Sequence, residues 1–131
     1  MSTADTPLVA AVADAKAALE SVDPTSPEQA LPHLREAQLR ITDAIDEAMA
    51  ATVLTEGQTI RAAAGLAGLT ENAVGPRLAR TSLLAAYRDG DRVTRAGVER
   101  ARYDLEEGRH KSTPPESTPP MRFRARRPTS G

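Results

Sequence analysis

Residues 60–79 read IRAAAGLAGLTENAVGPRLA and decide the fold of this chain. Gly68 falls where a first short helix must stop, because glycine adopts at little cost the positive φ that such a helix end requires. Beyond it, Thr70 is a candidate N-cap, and Val74 and Leu78 recur at the four-residue spacing of a second helix. The stretch therefore predicts a helix, a glycine turn and a second helix.

Residues 57–78 resemble the helix-turn-helix family of DNA-binding proteins, and more loosely small actinobacterial members in which a long helix precedes the unit. The matching structural positions are Ala64, Gly68, Leu69, Val74 and Leu78. The resemblance implies that the second helix is a recognition helix that enters a DNA groove. Gly75 and Pro76 depart from the family in the middle of that helix. Either the helix kinks there, or residues 70–74 form a separate turn and the main helix begins at Pro76; we expect the second.

The composition favours one small helical domain. The chain has 131 residues, 40% hydrophobic and 27% charged, which suits a single domain of about 100 ordered residues. Its only aromatic residues are Tyr87, Tyr103 and Phe123, so a core must come from Leu, Val, Ile and Ala. Such residues favour closely packed helices over a sheet. The predicted fold class is all-α, a helical bundle with a C-terminal helix-turn-helix.

Two helices are predicted ahead of that unit. Thr6 followed by Pro7 is a helix start, and Ser26 with Gln29 predicts a capping box for a second helix that ends near Leu54. The apolar positions of the first helix are Leu8, Val12, Ala15, Leu19 and Val22. Those of the second are Leu34, Ile41, Ile45 and Ala48.

The segment after the helix-turn-helix predicts a reduced wing. We expect the last helix of the unit to continue to Tyr87, followed by a polar turn, a short extended piece and a helix over 94–107 that Gly108 closes. In winged proteins this region touches the DNA backbone, and Arg92 and Arg95 are placed to do so. A plain helix-loop-helix connection fits the same residues.

Charge divides the chain. Residues 1–55 hold 3 basic and 9 acidic side chains, whereas residues 56–131 hold 14 and 9. We therefore assign 1–55 to N-terminal helices that pair two copies, 56–108 to DNA binding, and 109–131 to a disordered, Pro-rich basic tail. The tail also offers a surface for a protein partner.

The predicted DNA contacts surround the recognition helix. On a continuous helix Arg77, Arg80 and Arg88 share one flank with Thr81, where they would bind phosphates. Thr70 and Asn72 near the helix start are the candidates for reading bases, since an asparagine can pair with adenine. The complete predicted site is Arg61, Thr70, Asn72, Arg77, Arg80, Thr81, Arg88, Arg92 and Arg95.

Catalysis, metals and cofactors find little support in the sequence. The chain has no cysteine, and His33 and His110 lack metal-ligand spacing. Asp43, Asp46 and Glu47 cluster at helical steps, but we expect an alanine-rich helix to show them to water. No signal peptide and no apolar run of membrane-spanning length stand out, so a cytoplasmic protein without membrane contact is expected.

The leading interpretation is a sequence-specific protein that binds double-stranded DNA, a transcriptional regulator acting as a homodimer and not an enzyme. The alternative is a helical protein-interaction module or scaffold without DNA specificity, including an antitoxin-like protein whose tail folds on a partner.

Overall fold

The computed structural model describes residues 6–113. Within that range the chain is all-helical, with five α-helices and no strand, which confirms the all-α part of the predicted fold class. The helices are α1 (Pro7–Glu20), α2 (Pro27–Leu54), α3 (Ile60–Ala67), α4 (Glu71–Leu78) and α5 (Arg95–Glu106), with a 3-10 turn at Ala85–Tyr87. The predicted tail from residue 114 onward lies outside the described residues.

Helices α1 and α2 form a hairpin. The Thr6 hydroxyl accepts a hydrogen bond from Val9 N at 3.2 Å and Pro7 follows it, so α1 starts as predicted. Helix α2 begins at Pro27, but the predicted capping box is wrong. Ser26 makes no side-chain cap, because its ψ of 87° lies well below the extended values at the capping threonines of α1 and α3. The buried contacts of the hairpin are alanines: Ala15, Ala30 and Ala37.

The second half of α2 carries the main core. Val53 is fully buried and packs in one cluster with Val74 and Leu78 of α4. Helices α3 and α5 add small residues, so the helices approach closely, as a core with few aromatics requires. Helix α2 also contributes Met49, and the members from the rest of the chain include Ala63, Ala64, Leu84, Val93, Val98 and Ala101.

Helix α3, the turn and α4 follow the predicted order. Gly68 ends α3 with a φ of 75°, and Leu69 N donates to Ala64 O at 2.9 Å. Thr70 stands at the N-cap position of α4 but makes no side-chain cap bond. Helix α4 runs unbroken through Pro76, so the expected separate turn with a helix beginning at Pro76 is wrong.

Helix α4 is also shorter than predicted. It ends at Leu78 instead of continuing to Tyr87, and turns lead from there to the 3-10 segment. The α-helical pattern stops where Arg80 N donates to Arg77 O and Thr81 N donates to Leu78 O, each three residues back. Ser82 N then donates to the Glu47 carboxylate of α2 at 3.2 Å. The Thr81 hydroxyl donates back to Leu78 O at 2.7 Å and closes the last turn.

The predicted wing reduces to a single isolated bridge between Asp89 and Arg92, with Asp89 N donating to Arg92 O at 2.7 Å. The helix that follows is α5, which Thr94 caps, within one residue of the prediction. Residues 109–113, assigned to the tail by the sequence, lie against the body. Thr113 N donates to Ser82 O at 2.9 Å.

Candidate nucleic-acid interface

Three helices begin around one groove of about 510 Å³. Residues from the first turns of α3, α4 and α5 line it, and four arginines border it. We call this the arginine groove; its basic residues are Arg61, Arg92, Arg95 and Arg102. Because the N–H groups of a first helical turn lack intrahelical acceptors, a site that gathers three such turns favours anions.

The start of α4 is open. Thr70 leaves the first N–H groups of α4 without a side-chain cap, and Thr70, Glu71 and Asn72 are all exposed. By contrast, Thr59 caps α3 by accepting from Ala62 N at 2.9 Å, and Thr94 caps α5. The two residues predicted to read bases, Thr70 and Asn72, therefore stand at the one of these three helix starts that has no side-chain cap; there Ala73 N donates to the Thr70 backbone carbonyl at 3.1 Å.

Arg92 lies across α4, and Gly75 and Pro76 explain how. The Arg92 guanidinium donates to Asn72 O at 3.1 Å. In a regular helix the N–H of residue 76 would bind that carbonyl, but proline has none. A Cβ at Gly75 would stand 2.9 Å from the guanidinium, so a larger residue there would displace the guanidinium from this position. Gly75 and Pro76, which depart from the helix-turn-helix pattern, therefore allow the Arg92 guanidinium to bind the backbone of α4.

Arg102, which was not among the predicted site residues, connects the elements that form the groove. It donates to Val53 O at 2.9 Å and to Gln58 O at 2.7 Å, and so ties the end of α2 and the α2–α3 connection to α5. These partners are more than forty residues away in sequence. No local pattern could have found this role.

The other two groove arginines are more exposed. Arg95 pairs with Glu99 at 3.2 Å, one helical turn along α5, but its side chain is 90% exposed. Arg61 is exposed on the first turn of α3. Glu71 and Glu99 offset part of the positive charge of the groove, leaving four arginines against two glutamates.

A second set of arginines lies beside a separate concavity next to α4. Arg77, Arg80 and Arg88 border it, although α4 ends before Arg88 and the three do not share one helix. Arg77 Nε lies 2.6 Å from Asp46 Oδ1, and Arg80 binds the same carboxylate at 3.2 Å. Arg77 is therefore held in an ion pair within the chain, whereas Arg80, whose side chain is 60% exposed, still reaches solvent.

Thr81, predicted to stand on the surface beside these arginines, is 2% exposed. Its hydroxyl donates a hydrogen bond to the Leu78 carbonyl at the end of α4. The early end of α4 turns Thr81 inward, so it is not available to a phosphate.

Asp46 and Glu47, which the sequence analysis expected in water, are buried at 4% and 7% exposure. Burial raises the pKa of Asp46, although the neighbouring Arg77 and Arg80 oppose the rise. Burial also raises the pKa of Glu47, which accepts from Ser82 N but faces no cation in an ion pair within the described residues. These two carboxyls anchor α4 and the following turn to α2.

The described part of the chain contains no cluster of three or more histidine, aspartate or glutamate side chains arranged to hold a metal ion. Over the same range, no helix combines the length and hydropathy that crossing a bilayer needs. Comparison with protein-family models, curated proteins and solved structures gives no match to this chain.

Proposed function

We propose that this chain is a sequence-specific protein that binds double-stranded DNA, a transcriptional regulator that acts as a dimer. The observation that carries the proposal is the arginine groove, where the starts of α3 and α5 and four arginines lie beside the exposed start of α4. Positive side chains beside an uncapped helix start suit a polyanion better than a neutral ligand.

The proposed division of roles follows exposure. Arg61 and Arg95 are exposed and border the groove, which suits contacts with phosphates on either side of an inserted α4. Arg92, fixed on α4 by Asn72 O, adds a phosphate contact of defined direction. Asn72 extends from the first turn of α4, the part of a recognition helix that reaches base edges.

The resemblance to helix-turn-helix proteins supports the same docking. Helix α3, the left-handed Gly68 and α4 follow one another in the expected order. Helix α1 packs on α2 and contributes no residue to the groove, so the start of α4 stays accessible. On the other side of α4, Arg80 and Arg88 are exposed and suit additional backbone contacts.

The test is DNA binding by the purified full chain. Genomic fragments that it retains are selected, and binding to an enriched fragment is measured at several salt concentrations. We expect the affinity to fall steeply with salt. The double variant Arg61→Gln/Arg95→Gln should weaken binding and reduce the slope of log K against log salt by about 1.8, close to 0.9 per lost phosphate contact.

Two comparisons sharpen that measurement. Arg109→Gln, outside the groove and exposed, removes one positive charge where the groove variant removes two, and should leave the slope nearly unchanged. Asn72→Ala should keep the slope but relax the preference for the enriched fragment by about 1–3 kcal/mol. Affinity that does not respond to salt, or equal losses in Arg109→Gln and in the groove variant, would contradict the proposal.

The second candidate function is a helical protein-interaction module. Leu66, 80% exposed on α3, and the exposed aliphatic residues of the hairpin favour it. A chain that retains no DNA fragment and binds a protein through these residues would establish this alternative.

A further inference from the structure

The hairpin of α1 and α2 has an apolar face that the rest of the chain leaves open. Of the ten large hydrophobic residues that are exposed within residues 6–113, seven lie on these two helices. Where α1 and α2 contact each other, the buried side chains are the alanines Ala15, Ala30 and Ala37, because two helices alone have no second layer to cover longer side chains. The exposed residues are Val9, Val12, Leu19, Leu31, Leu34, Leu39 and Ile41.

Six of these seven side chains fall on one face. With 3.6 residues per turn, Val12 and Leu19 lie next to the α1 stripe of Ala15 that meets α2. On α2, Leu34 and Ile41 lie next to the stripe of Ala30 and Ala37 by the same rule. Since a short connection makes the two helices antiparallel, both stripes point to the same side. We call this side the hairpin face; its residues are Val9, Val12, Leu19, Leu31, Leu34 and Ile41.

The body of the protein packs on the opposite side. A small cleft between the hairpin and the segment after α4 is lined by Asp14 and Asp43 from the hairpin and by Arg80 and Thr81 from the body. The acidic surplus of the N-terminal helices is therefore turned toward the body. The body does not cover the hairpin face, where Leu34 is 44% exposed.

Charge distribution indicates the occupant. By helical position, the charged residues that border the hairpin face are Lys16, Arg35, Glu20 and Glu28, two of each sign. A copy of the same face, rotated by a two-fold axis, meets a balanced border and not a like-charged one. A basic partner would match the acidic side of the hairpin instead, and that side is taken by the body.

We propose that the hairpin face is the interface with a second copy of this chain, and that the two hairpins form a four-helix bundle. The inference deepens the dimer in the proposed function by naming its surface. In the bundle, the aliphatic stripes of both hairpins supply the second layer that each hairpin lacks alone.

Sedimentation velocity of the full chain without DNA tests the inference, so the outcome does not depend on DNA binding. We expect twice the chain mass of 13.9 kDa at micromolar concentration. The double variant Leu34→Gln/Ile41→Gln removes four apolar side chains per dimer and should weaken association by at least about 100-fold. Circular dichroism checks that the variant keeps its helix content.

The matched control is Leu105→Gln on α5, which has the same 44% exposure as Leu34 but lies off the hairpin face. It should remain dimeric. If the double variant loses helix content, Val12→Gln on α1 gives a second test with a milder change. A monomer at near-millimolar concentration overturns the inference, and so does a dimer that the hairpin variants leave intact. A dimer that binds no DNA would overturn only the DNA proposal.

Discussion

At the scale of single residues, Asp46 and Glu47 show how one pair of adjacent acids organises the region behind α4. Asp46 binds Arg77 and Arg80, whereas Glu47 accepts the N–H of Ser82, four residues after the end of α4. Both carboxyls are desolvated, and for both, burial is the largest influence on the pKa. Their burial connects α2 to α4 and to the residues that follow it.

Glu47 makes stability depend on pH. Because its pKa is raised in the folded state, the folded protein holds the proton more tightly than the unfolded chain does. Its contribution to the free energy of unfolding is complete below the ordinary value of 4.5 and is lost as pH rises through the raised value. Glu47→Gln should reduce this decline, so the variant gains stability relative to the wild type as pH increases.

Urea unfolding measured from acidic to neutral pH checks this expectation. Asp46, whose pKa is also raised, contributes a decline of the same sign, so the variant should keep part of the slope. Glu106→Gln, on the exposed side of α5, serves as the control and should retain the full wild-type slope. A Glu47→Gln profile parallel to the wild type would refute the assignment.

At the scale of elements, the short helices depend on how closely backbone approaches backbone. Helix α5 docks so near the 3-10 turn that a Cβ at Gly97 would stand 2.5 Å from Tyr87 O. Tyr87 in turn donates its hydroxyl to Asp104 at 2.9 Å and accepts from Lys111 N at 2.9 Å, so α5 and the segment after it close on the same ring. His110 stacks on that ring with centroids 5.4 Å apart.

Two glycine-to-alanine changes should therefore act in opposite directions. Gly97→Ala pushes α5 away from the Tyr87 carbonyl and should lower the free energy of unfolding by about 1–3 kcal/mol. Gly65→Ala in α3, where an added Cβ meets nothing within 4 Å, should raise it by about 0.5–1 kcal/mol through helix propensity. Chemical denaturation of the two variants beside the wild type measures both effects. Equal changes in the free energy of unfolding would mean that α5 does not pack closely against the Tyr87 carbonyl.

At the scale of the whole molecule, α2 joins the two proposed surfaces. Its 28 residues span about 42 Å, from the hairpin to the core beneath the arginine groove. The exposure of the apolar residues falls along α2: Leu34 and Ile41 are exposed, Ile45 packs against the core and Met49 is buried. One continuous helix thus places the proposed dimer interface at a fixed distance from the proposed DNA contacts.

This geometry leads to a prediction about paired sites. A dimer should bind two half-sites about one helical turn apart more tightly than a single half-site. Leu34→Gln/Ile41→Gln should abolish that advantage while leaving the affinity for the single half-site unchanged, because the arginine groove is untouched. Binding titrations on one-site and two-site fragments measure the difference, with Leu105→Gln as control. A variant that keeps the two-site advantage would separate DNA binding from the hairpin.

The sequence by itself determined the features that local chemistry controls. Thr6 with Pro7 started α1, Gly68 ended α3, and Thr94 with Gly108 bounded α5, since caps and positive-φ glycines act over a single turn. DNA binding, the base-reading roles and the dimer remain predictions. Only the tertiary structure decided where α4 ends and where its arginines point.

The reason is the distance along the chain between partners. The Ser82 N–H just beyond α4 binds Glu47, thirty-five residues earlier. The Asn72 carbonyl, which Pro76 leaves without a helical donor, accepts from Arg92, twenty residues later. Burial of Asp46 depends likewise on two arginines from another element. Contacts of this kind form only once the helices have packed, so no pattern of neighbouring residues specifies them.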